Sequence, residues 1–149
     1  MSESSFRVVS LSEDEAAQCL PLIRITWPDV DLEHWRRFVR SYTAQRRESR
    51  SGALALRDAA DYFSAMFAYR VEPDIQRGLV LAVQLFTAVD LTNSPDFVRI
   101  LVSAAEAKAR ELGCSGIEIR LYRAQSTLAL HLQSLRLVDS AAIMSKSVR

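Results

Sequence analysis

The sequence predicts a single α/β domain that spans residues 1–149. Short apolar stretches with the two-residue period of strands are interspersed with stretches whose apolar residues recur at helical spacing. Their order is a strand, two helices, three strands, a long helix, a strand, a short helix and a final strand. A chain of this length buries about two thirds of its unfolded surface as one domain. We therefore expect one folded unit, without a linker or an internal repeat.

The first strand and two helices are predicted in the N-terminal third. "FRVVSL" alternates as a strand does, and Ser12 followed by Glu15 is the signature of a capping box. It opens a helix that continues to Ile23, and Pro21 should kink or shorten that helix. A second amphipathic helix starts near Asp31, and its apolar residues are Leu32, Trp35, Phe38, Val39 and Tyr42.

Three strands are predicted next. "SGALALRD" and "DYFSAMFAYRVE" flank a polar turn around Asp58 and Asp61, which is typical of a hairpin. "EPDIQRG" is predicted to be a loop. "LVLAVQLFTAVDL", from Leu79 to Leu91, is apolar on both alternating faces, as expected of a central strand covered on both sides.

A long helix with a strong start signal follows. Ser94, Pro95 and Asp96 supply a capping hydroxyl, a proline at the first helical position and an acid in the first turn. The helix should run to about Leu112 and stop at Gly113. "GIEIRLY" then alternates as a strand, and a short helix from residue 125 to 135 and a final strand "VDSAAIMSKSV" complete the chain.

Composition limits the classes of partner. With 49% hydrophobic and 25% charged residues, the chain should be a soluble globule, and its net charge of +1 removes the overall attraction that nucleic acid or anionic lipid requires. Cys19, Cys114, His34 and His131 show no metal-ligand spacing, so we expect no metal. "MSESSFRVVS" lacks the apolar region of a signal peptide, which favours a cytoplasmic location without a membrane anchor.

The central strand followed by "FVRILVSAAEAKARELGCSGIEIRLY" resembles the GNAT superfamily of acyl-CoA-dependent N-acetyltransferases. The resemblance extends over nearly the whole chain, and the two segments match that family's fourth strand, third helix and fifth strand. It implies a mixed, mostly antiparallel sheet of six to seven strands flanked by about four helices. It also implies that the fourth and fifth strands separate to admit the pantetheine of acetyl-CoA. Fold alone does not establish function.

The family's pyrophosphate loop, Q/R-x-x-G-x-G/A, falls on "NSPDFV" in this chain. Asp96 and Val98 replace its glycines, Pro95 lacks an N–H, and the Asp96 carboxylate would repel an approaching pyrophosphate. We therefore expect an impaired acetyl-CoA site, and an ordinary capped helix explains the same residues. The family's cofactor-binding positions are Phe86, Thr87, Ala88, Val89, Asn93, Ser94, Asp96, Phe97, Val98 and Gln125.

Candidate catalytic residues are Asp90, Glu118 and Tyr122, because the resemblance implies a carboxylate on the fourth or fifth strand that deprotonates the acceptor amine. A turn role for Asp90 and an ion pair for Glu118 are the alternatives. The tyrosine that often protonates the leaving thiolate in the family falls on Leu132, which cannot donate a proton. The neighbouring His131 points about 100° away on the helix.

A basic stretch lies in "HWRRFVRSYTAQRRESR". Arginine suits phosphate or carboxylate groups, so an acidic ligand, a protein partner or a nucleic acid could bind here, and a solvated helix face is the alternative. The arginines are Arg36, Arg37, Arg40, Arg46, Arg47 and Arg50.

Three functional hypotheses remain from the sequence. The first is a non-catalytic or atypical GNAT-like protein that acts through a ligand or a protein, as a homodimer through a sheet edge or the apolar C-terminal strand. The second is an active N-acetyltransferase that holds CoA through the backbone from Phe86 to Leu91. The third is an arginine-mediated nucleic-acid binder.

Overall fold

The computed structural model describes residues 6–43, 50–89, 95–122 and 125–148, and within them five strands form one sheet flanked by five helices. The strands are β1 (Arg7–Ser10), β2 (Ser51–Arg57), β3 (Phe63–Asp74), β4 (Gly78–Ala88) and β5 (Gly116–Ile119). The helices are α1 (Glu13–Ala17), α2 (Leu20–Thr26), α3 (Leu32–Thr43), α4 (Pro95–Glu111) and α5 (Ser126–Ser134).

The strands lie in the order β1-β2-β3-β4-β5. The first four are antiparallel neighbours, whereas β4 and β5 are parallel. A parallel pair needs a long crossover connection, and α4 lies within it. The sheet is thus mixed and mostly antiparallel, as the sequence predicts.

Each face of the sheet has its own core. Alternating strand residues such as Phe67 and Phe86 pack with α4 and α5 on one face, where Leu101 and Leu128 are fully buried. Residues of the opposite parity, such as Met66, pack with α1, α2 and α3 on the other. Because β4 contributes to both cores, most of its residues on both sides are apolar.

The helix-start signals are confirmed at α1 and α3. The Ser12 hydroxyl accepts from the Glu15 N–H at 3.1 Å, while the Glu15 carboxylate accepts from the Ser12 N–H at 3.0 Å, which forms the predicted capping box. Asp31 accepts from the His34 N–H at 2.7 Å before α3 begins. The predicted first helix is interrupted, with Pro21 in the first turn of α2, where a missing N–H costs nothing.

The prediction of a final strand is wrong. Residues 137–148 have no regular secondary structure, and residues 138–148 are all exposed. A strand needs a hydrogen-bonded neighbour, and within the described chain this segment has none. Among the described residues the sheet accordingly has five strands rather than six or seven, and it is flanked by five helices rather than about four.

The predicted loop "EPDIQRG" is shorter than expected. β3 continues to Asp74 and β4 begins at Gly78, so that only residues 75–77 form the turn. The Asp74 carboxylate makes this tight turn stable, because it accepts from the Gln76 and Arg77 N–H groups at 2.8 and 3.1 Å.

Candidate functional site

The parallel strands β4 and β5 are paired over only part of their length. The ladder joins residues 80–83 of β4 to residues 116–119 of β5, and the Arg120 N–H still reaches the Val83 carbonyl at 2.9 Å. Beyond this point β4 continues to Ala88, whereas residues 120–122 leave the sheet. A gap between the two chain segments follows, which we call the β4–β5 gap. The resemblance implies pantetheine at this position.

A β-bulge in β4 lies beside this gap. Met66 pairs with Thr87 and Ala68 pairs with Gln84, so one residue of β3 faces two of β4. Leu85 takes up the extra residue with φ of 58°, a conformation that leucine seldom adopts. Bulges bend a strand and turn its side chains. This one lies in β4 just after the last residue that pairs with β5.

Gln125 bridges the β4–β5 gap. Its side-chain N–H donates to the Phe86 carbonyl at 2.7 Å, and its side-chain oxygen accepts from the Tyr122 N–H at 3.1 Å. Only 7% of Gln125 is exposed. One amide therefore satisfies a backbone group on each side of the gap, and a ligand that pairs with the Phe86 carbonyl must either share that oxygen with Gln125 or displace the Gln125 side chain.

The neighbouring family positions on β4 face the protein interior. Thr87 is buried, and its hydroxyl lies 3.3 Å from the Leu22 carbonyl that it donates to. Ala88 is also buried, and the Val89 N–H donates to the Ser64 carbonyl at 2.9 Å. Because the side chains of Thr87 and Ala88 are buried, these residues can contact a ligand only through backbone N–H and C=O groups that are not already hydrogen-bonded.

The start of α4 carries a carboxylate. Asp96 is exposed, and its side chain pairs with Arg99 at 3.2 Å. Phe97 packs edge-on against Phe6 with ring centroids 5.1 Å apart, and Val98 is fully buried. Of the two residues that replace the family's glycines, Asp96 thus forms an exposed ion pair in the first turn of α4 and Val98 packs in the core. Asn93 and Ser94 lie outside the described residues.

The structure does not bring the catalytic candidates into one described cluster. Glu118 forms an ion pair with Arg77, which also bonds Asp74 at 3.0 Å, and this is the alternative considered from sequence. Tyr122 is half-exposed and its ring meets Trp27 edge-on at 5.1 Å. Asp90 lies outside the described residues.

The C-terminal family positions on α5 are occupied by packing residues. Leu132, where the family often has a tyrosine, is 3% exposed and belongs to the same core as Leu128. Arg136 stands at the family's glycine position and has φ of 72°. The positive φ explains why glycine suits this turn. Neither Leu132 nor the turn supplies the proton donor that the family's tyrosine provides.

Sequence reasoning missed a polar group beside the gap. The Tyr42 hydroxyl donates to the Gln84 side chain at 2.9 Å, and the Arg70 guanidinium lies 4.3 Å from the centre of the Tyr42 ring. Burial raises the pKa of Tyr42, which keeps it a hydrogen-bond donor. Arg120 bonds Glu72 at 2.7 Å nearby. The polar amide in the otherwise largely apolar stretch "LVLAVQLFTAV" was the signal that could have identified Gln84.

The arginine surface is partly neutralised by acids. Arg40 bonds Glu13 at 2.9 Å and holds the pKa of that carboxyl below its usual range, and Arg37 lies 3.5 Å from Glu33. An open depression of about 520 Å³ lies here, lined by Leu32, Glu33, Arg36, Arg37 and Arg40. Arg50 is exposed, and Arg46 and Arg47 lie outside the described residues.

Two classes of feature are absent from residues 6–43, 50–89, 95–122 and 125–148. Histidine, cysteine, aspartate and glutamate side chains form no group of three that could hold a metal ion. In the same residues, the helices are too short or too polar to cross a membrane.

No protein-family model and no curated protein matches the sequence. Solved structures do match the fold. The aminoglycoside N-acetyltransferase AAC(6')-Iy in complex with CoA superposes with a TM-score of 0.79 at 9% identity, over 97% of this chain and 95% of that one. AAC(6')-Ih from Acinetobacter baumannii, an aminoglycoside antibiotic 6'-N-acetyltransferase, has a TM-score of 0.77 at 15% identity, over 97% and 98%.

A third solved structure of similar fold is described as a regulator rather than as an acetyltransferase. A transcriptional regulator from Bacillus halodurans C-125 has a TM-score of 0.75 at 11% identity, over 96% of this chain and 99% of that one. Identities this low establish the fold and leave the activity open. The order of the elements, the mixed sheet and these superpositions agree, and this chain therefore has the GNAT fold.

Proposed function

We propose that this chain is a GNAT-fold protein with an impaired acetyl-CoA site, and that it acts by binding a ligand or a protein rather than by acetyl transfer. The observation that carries the proposal is the Gln125 bridge. Pantetheine in the β4–β5 gap would have to compete with an amide that already bonds Phe86 and the Tyr122 N–H. Each internal hydrogen bond lost without replacement costs about 0.5–1.5 kcal/mol.

The start of α4 adds a second obstacle. Pro95 offers no N–H to a pyrophosphate, and the Asp96 carboxylate stands in the first turn, where a bound phosphate would use the positive end of the helix. Two like charges about 4 Å apart repel by about 1 kcal/mol even in bulk water. Binding of both parts of the cofactor is therefore disfavoured: binding of pantetheine at the β4–β5 gap and binding of pyrophosphate at the start of α4.

An active N-acetyltransferase is the second candidate. Its support is the geometry of the gap itself, since the ladder ends at Val83 and the bulge at Leu85 follows directly. In that case Asp90, Glu118 or Tyr122 would accept the proton of the acceptor amine or donate a proton to the leaving thiolate. A nucleic-acid binder is disfavoured, because Arg37 and Arg40 are already paired with carboxylates.

Thermal unfolding with acetyl-CoA distinguishes these candidates. A ligand present at 100 times its Kd stabilises the native state by about 2.7 kcal/mol, which raises Tm by about 5–10 °C for a domain of this size. We expect no such rise at about 1 mM acetyl-CoA, a concentration chosen to reveal even an affinity near 10 μM. A clear rise, or acetylation of an amine acceptor, would overturn the proposal.

Two controls accompany this measurement. Gln125→Ala removes the bridge, so any gain in the acetyl-CoA response of that variant, relative to its own unliganded Tm, locates the obstacle at the gap. Binding to mixed oligonucleotides at low salt, where phosphate contacts are strongest, tests the nucleic-acid candidate.

A further inference from the structure

A group of polar side chains beside the β4–β5 gap lies on the face of the sheet that packs against α1, α2 and α3. Arg70 and Glu72 follow Ala68 of that core at two-residue spacing along β3. Gln84 of β4 is the register partner of Ala68, so it lies on the same face. Arg120 reaches this face as well, because its guanidinium bonds Glu72 at 2.7 Å. The group, which we call the Tyr42 cluster, consists of Tyr42, Arg70, Glu72, Gln84 and Arg120.

The cluster converges on the side chain of Tyr42. Its hydroxyl donates to the Gln84 side chain at 2.9 Å, and the Arg70 guanidinium lies 4.3 Å from the centre of its ring. Burial raises the pKa of this hydroxyl, and the charges of Arg70, Arg120 and Glu72 also act on it. Two guanidinium groups, one carboxylate and one amide therefore surround a single phenol.

The charges of the Tyr42 cluster do not balance. Arg120 and Glu72 form an ion pair in which both side chains are 32% exposed. Arg70 is half-buried, donates to the Ser41 carbonyl at 3.2 Å and stacks on Tyr42, but it forms no ion pair with a carboxylate of the described residues. A cation that is partly removed from water without a counter-ion is unfavourable. Two guanidinium groups against one carboxylate leave the cluster with one uncompensated positive charge.

The cluster also has more hydrogen-bond donors than acceptors. A guanidinium group carries several N–H donors, and Arg70 uses one of its nitrogens for a hydrogen bond to a described residue. Gln84 uses its side-chain oxygen for the Tyr42 hydroxyl, and its NH2 group donates to no described residue. A carboxylate accepts two parallel N–H bonds from a guanidinium group. The excess of donors and the positive charge therefore favour an anionic ligand at Arg70.

A carboxylate suits this site better than a phosphate. A carboxylate carries one negative charge, which balances the cluster, whereas a phosphate monoester carries about −1.5 to −2 at neutral pH and the Glu72 carboxylate would repel the excess. An aromatic surface lies beside the charges, because Tyr122 is 51% exposed and its ring meets Trp27 edge-on. After burial and the charges above, the Tyr122 hydroxyl is the remaining group that acts on the pKa of Tyr42. The ligand therefore has an apolar part as well as a carboxylate.

We propose that the Tyr42 cluster binds the carboxylate of a small organic acid through Arg70 and Gln84, with the apolar part of the acid against the Tyr122 ring. The inference rests on the proposed function, because it names the class of ligand that such a binding protein takes. Arg70 supplies the charge and two N–H donors in one plane, and the Gln84 NH2 group supplies a further donor. The Arg120–Glu72 ion pair limits the site to one negative charge.

Titration of the ¹⁵N-labelled full chain with phenylacetate, followed by nuclear magnetic resonance, is the first test. We expect saturable shifts of the Arg70 Nε–H and Gln84 NH2 signals at millimolar concentrations. Phenylacetamide has the same shape without the charge, so it should bind more weakly by about tenfold or more. The absence of saturable shifts with phenylacetate, benzoate and hexanoate, or equal binding of phenylacetamide, would overturn the proposal. Equally tight binding of inorganic phosphate would contradict the charge balance on which it depends.

A matched pair of variants locates the bound carboxylate. Arg70→Gln should weaken phenylacetate binding by about tenfold or more. Arg110→Gln removes the same charge from an exposed position on α4, which packs on the opposite face of the sheet, and should leave the affinity within about twofold. Arg70→Lys keeps the charge but loses the planar pair of donors, so its affinity should lie between those of the native chain and Arg70→Gln. Circular dichroism checks that each variant is folded. Native affinity in either Arg70 variant would place the carboxylate elsewhere and refute the assignment.

A parallel titration with acetyl-CoA separates this inference from the proposed function. Shifts with phenylacetate and none with acetyl-CoA support both. Shifts with both compounds would contradict the impaired cofactor site and leave the carboxylate site in place. A chain that responds to neither compound would contradict the carboxylate site alone, and the impaired cofactor site would stand.

Discussion

Replacing Gln125 by leucine tests the bridge between the two sides of the β4–β5 gap. Leucine fills a similar volume but makes neither the 2.7 Å bond to the Phe86 carbonyl nor the 3.1 Å bond from the Tyr122 N–H. Phe86 is fully buried, so water does not readily replace the lost donor. Two hydrogen bonds are worth about 1–3 kcal/mol together, and an orphaned buried carbonyl costs about 1–3 kcal/mol. The apolar gain of leucine offsets about 1 kcal/mol.

The midpoints of these ranges give an expected net loss of about 3 kcal/mol. For a domain of this size it corresponds to a fall in Tm of about 6–12 °C. Urea unfolding monitored by circular dichroism measures the loss directly. Gln133→Leu is the control, because Gln133 is exposed on the same helix and its replacement should change stability by less than about 0.5 kcal/mol.

The substitution Gln125→Glu gives an independent check. An ionised carboxylate at this position cannot donate to the Phe86 carbonyl, but the protonated acid can. Burial favours the protonated form, so the pKa of the introduced carboxyl would be raised in the folded state relative to the unfolded one. Stability relative to the native chain should therefore be greatest at low pH and fall as the pH rises through that pKa. Equal stability of the leucine variant and the Gln133→Leu control would refute the reasoning.

Two further predictions concern packing and thiol accessibility. Gly52→Ala should destabilise the fold by about 1–3 kcal/mol, because a Cβ would lie 2.7 Å from the hydroxyl oxygen of Tyr69, which is buried. Tyr69→Phe should restore part of that loss in urea unfolding, and Gly116→Ala, where the nearest atom is 3.6 Å away, is the matched control. Equal effects of the two alanines would contradict a steric cause. Iodoacetamide at pH 8 should modify half-buried Cys114 well before Cys19, because burial raises the pKa of Cys19 to about 12. Mass spectrometry of the native chain measures both rates, and comparable rates would show that Cys19 is accessible.

Local sequence signals determined most of the elements. The capping box at Ser12, the start of α3 near Asp31 and the largely apolar β4 depend on neighbours only a few residues away, and the structure has each of them where it was predicted. The mixed sheet also follows from the order of the elements, because a long helix between two strands favours a parallel crossover. α4 ends at Glu111, two residues before the Gly113 that was predicted to stop it.

The site could be predicted only in part. Gln125 was identified as a family position, yet nothing local indicates that its amide would bond Phe86, which is 39 residues away. Glu118 could be either a base or half of an ion pair until the structure placed Arg77, 41 residues distant, beside it. Gln84 escaped notice, since its partner Tyr42 lies on another element.

The sequence by itself determined which segments can form helices and strands, because capping, periodicity and turn chemistry act between residues close in the chain. Only the tertiary structure decided what each polar side chain bonds to and whether each potential strand has a neighbour. Residues 138–148 have the composition of a strand and no ladder within the described chain. A strand needs hydrogen bonds from a partner strand that is distant in the sequence. The composition of the candidate strand cannot specify where that partner lies.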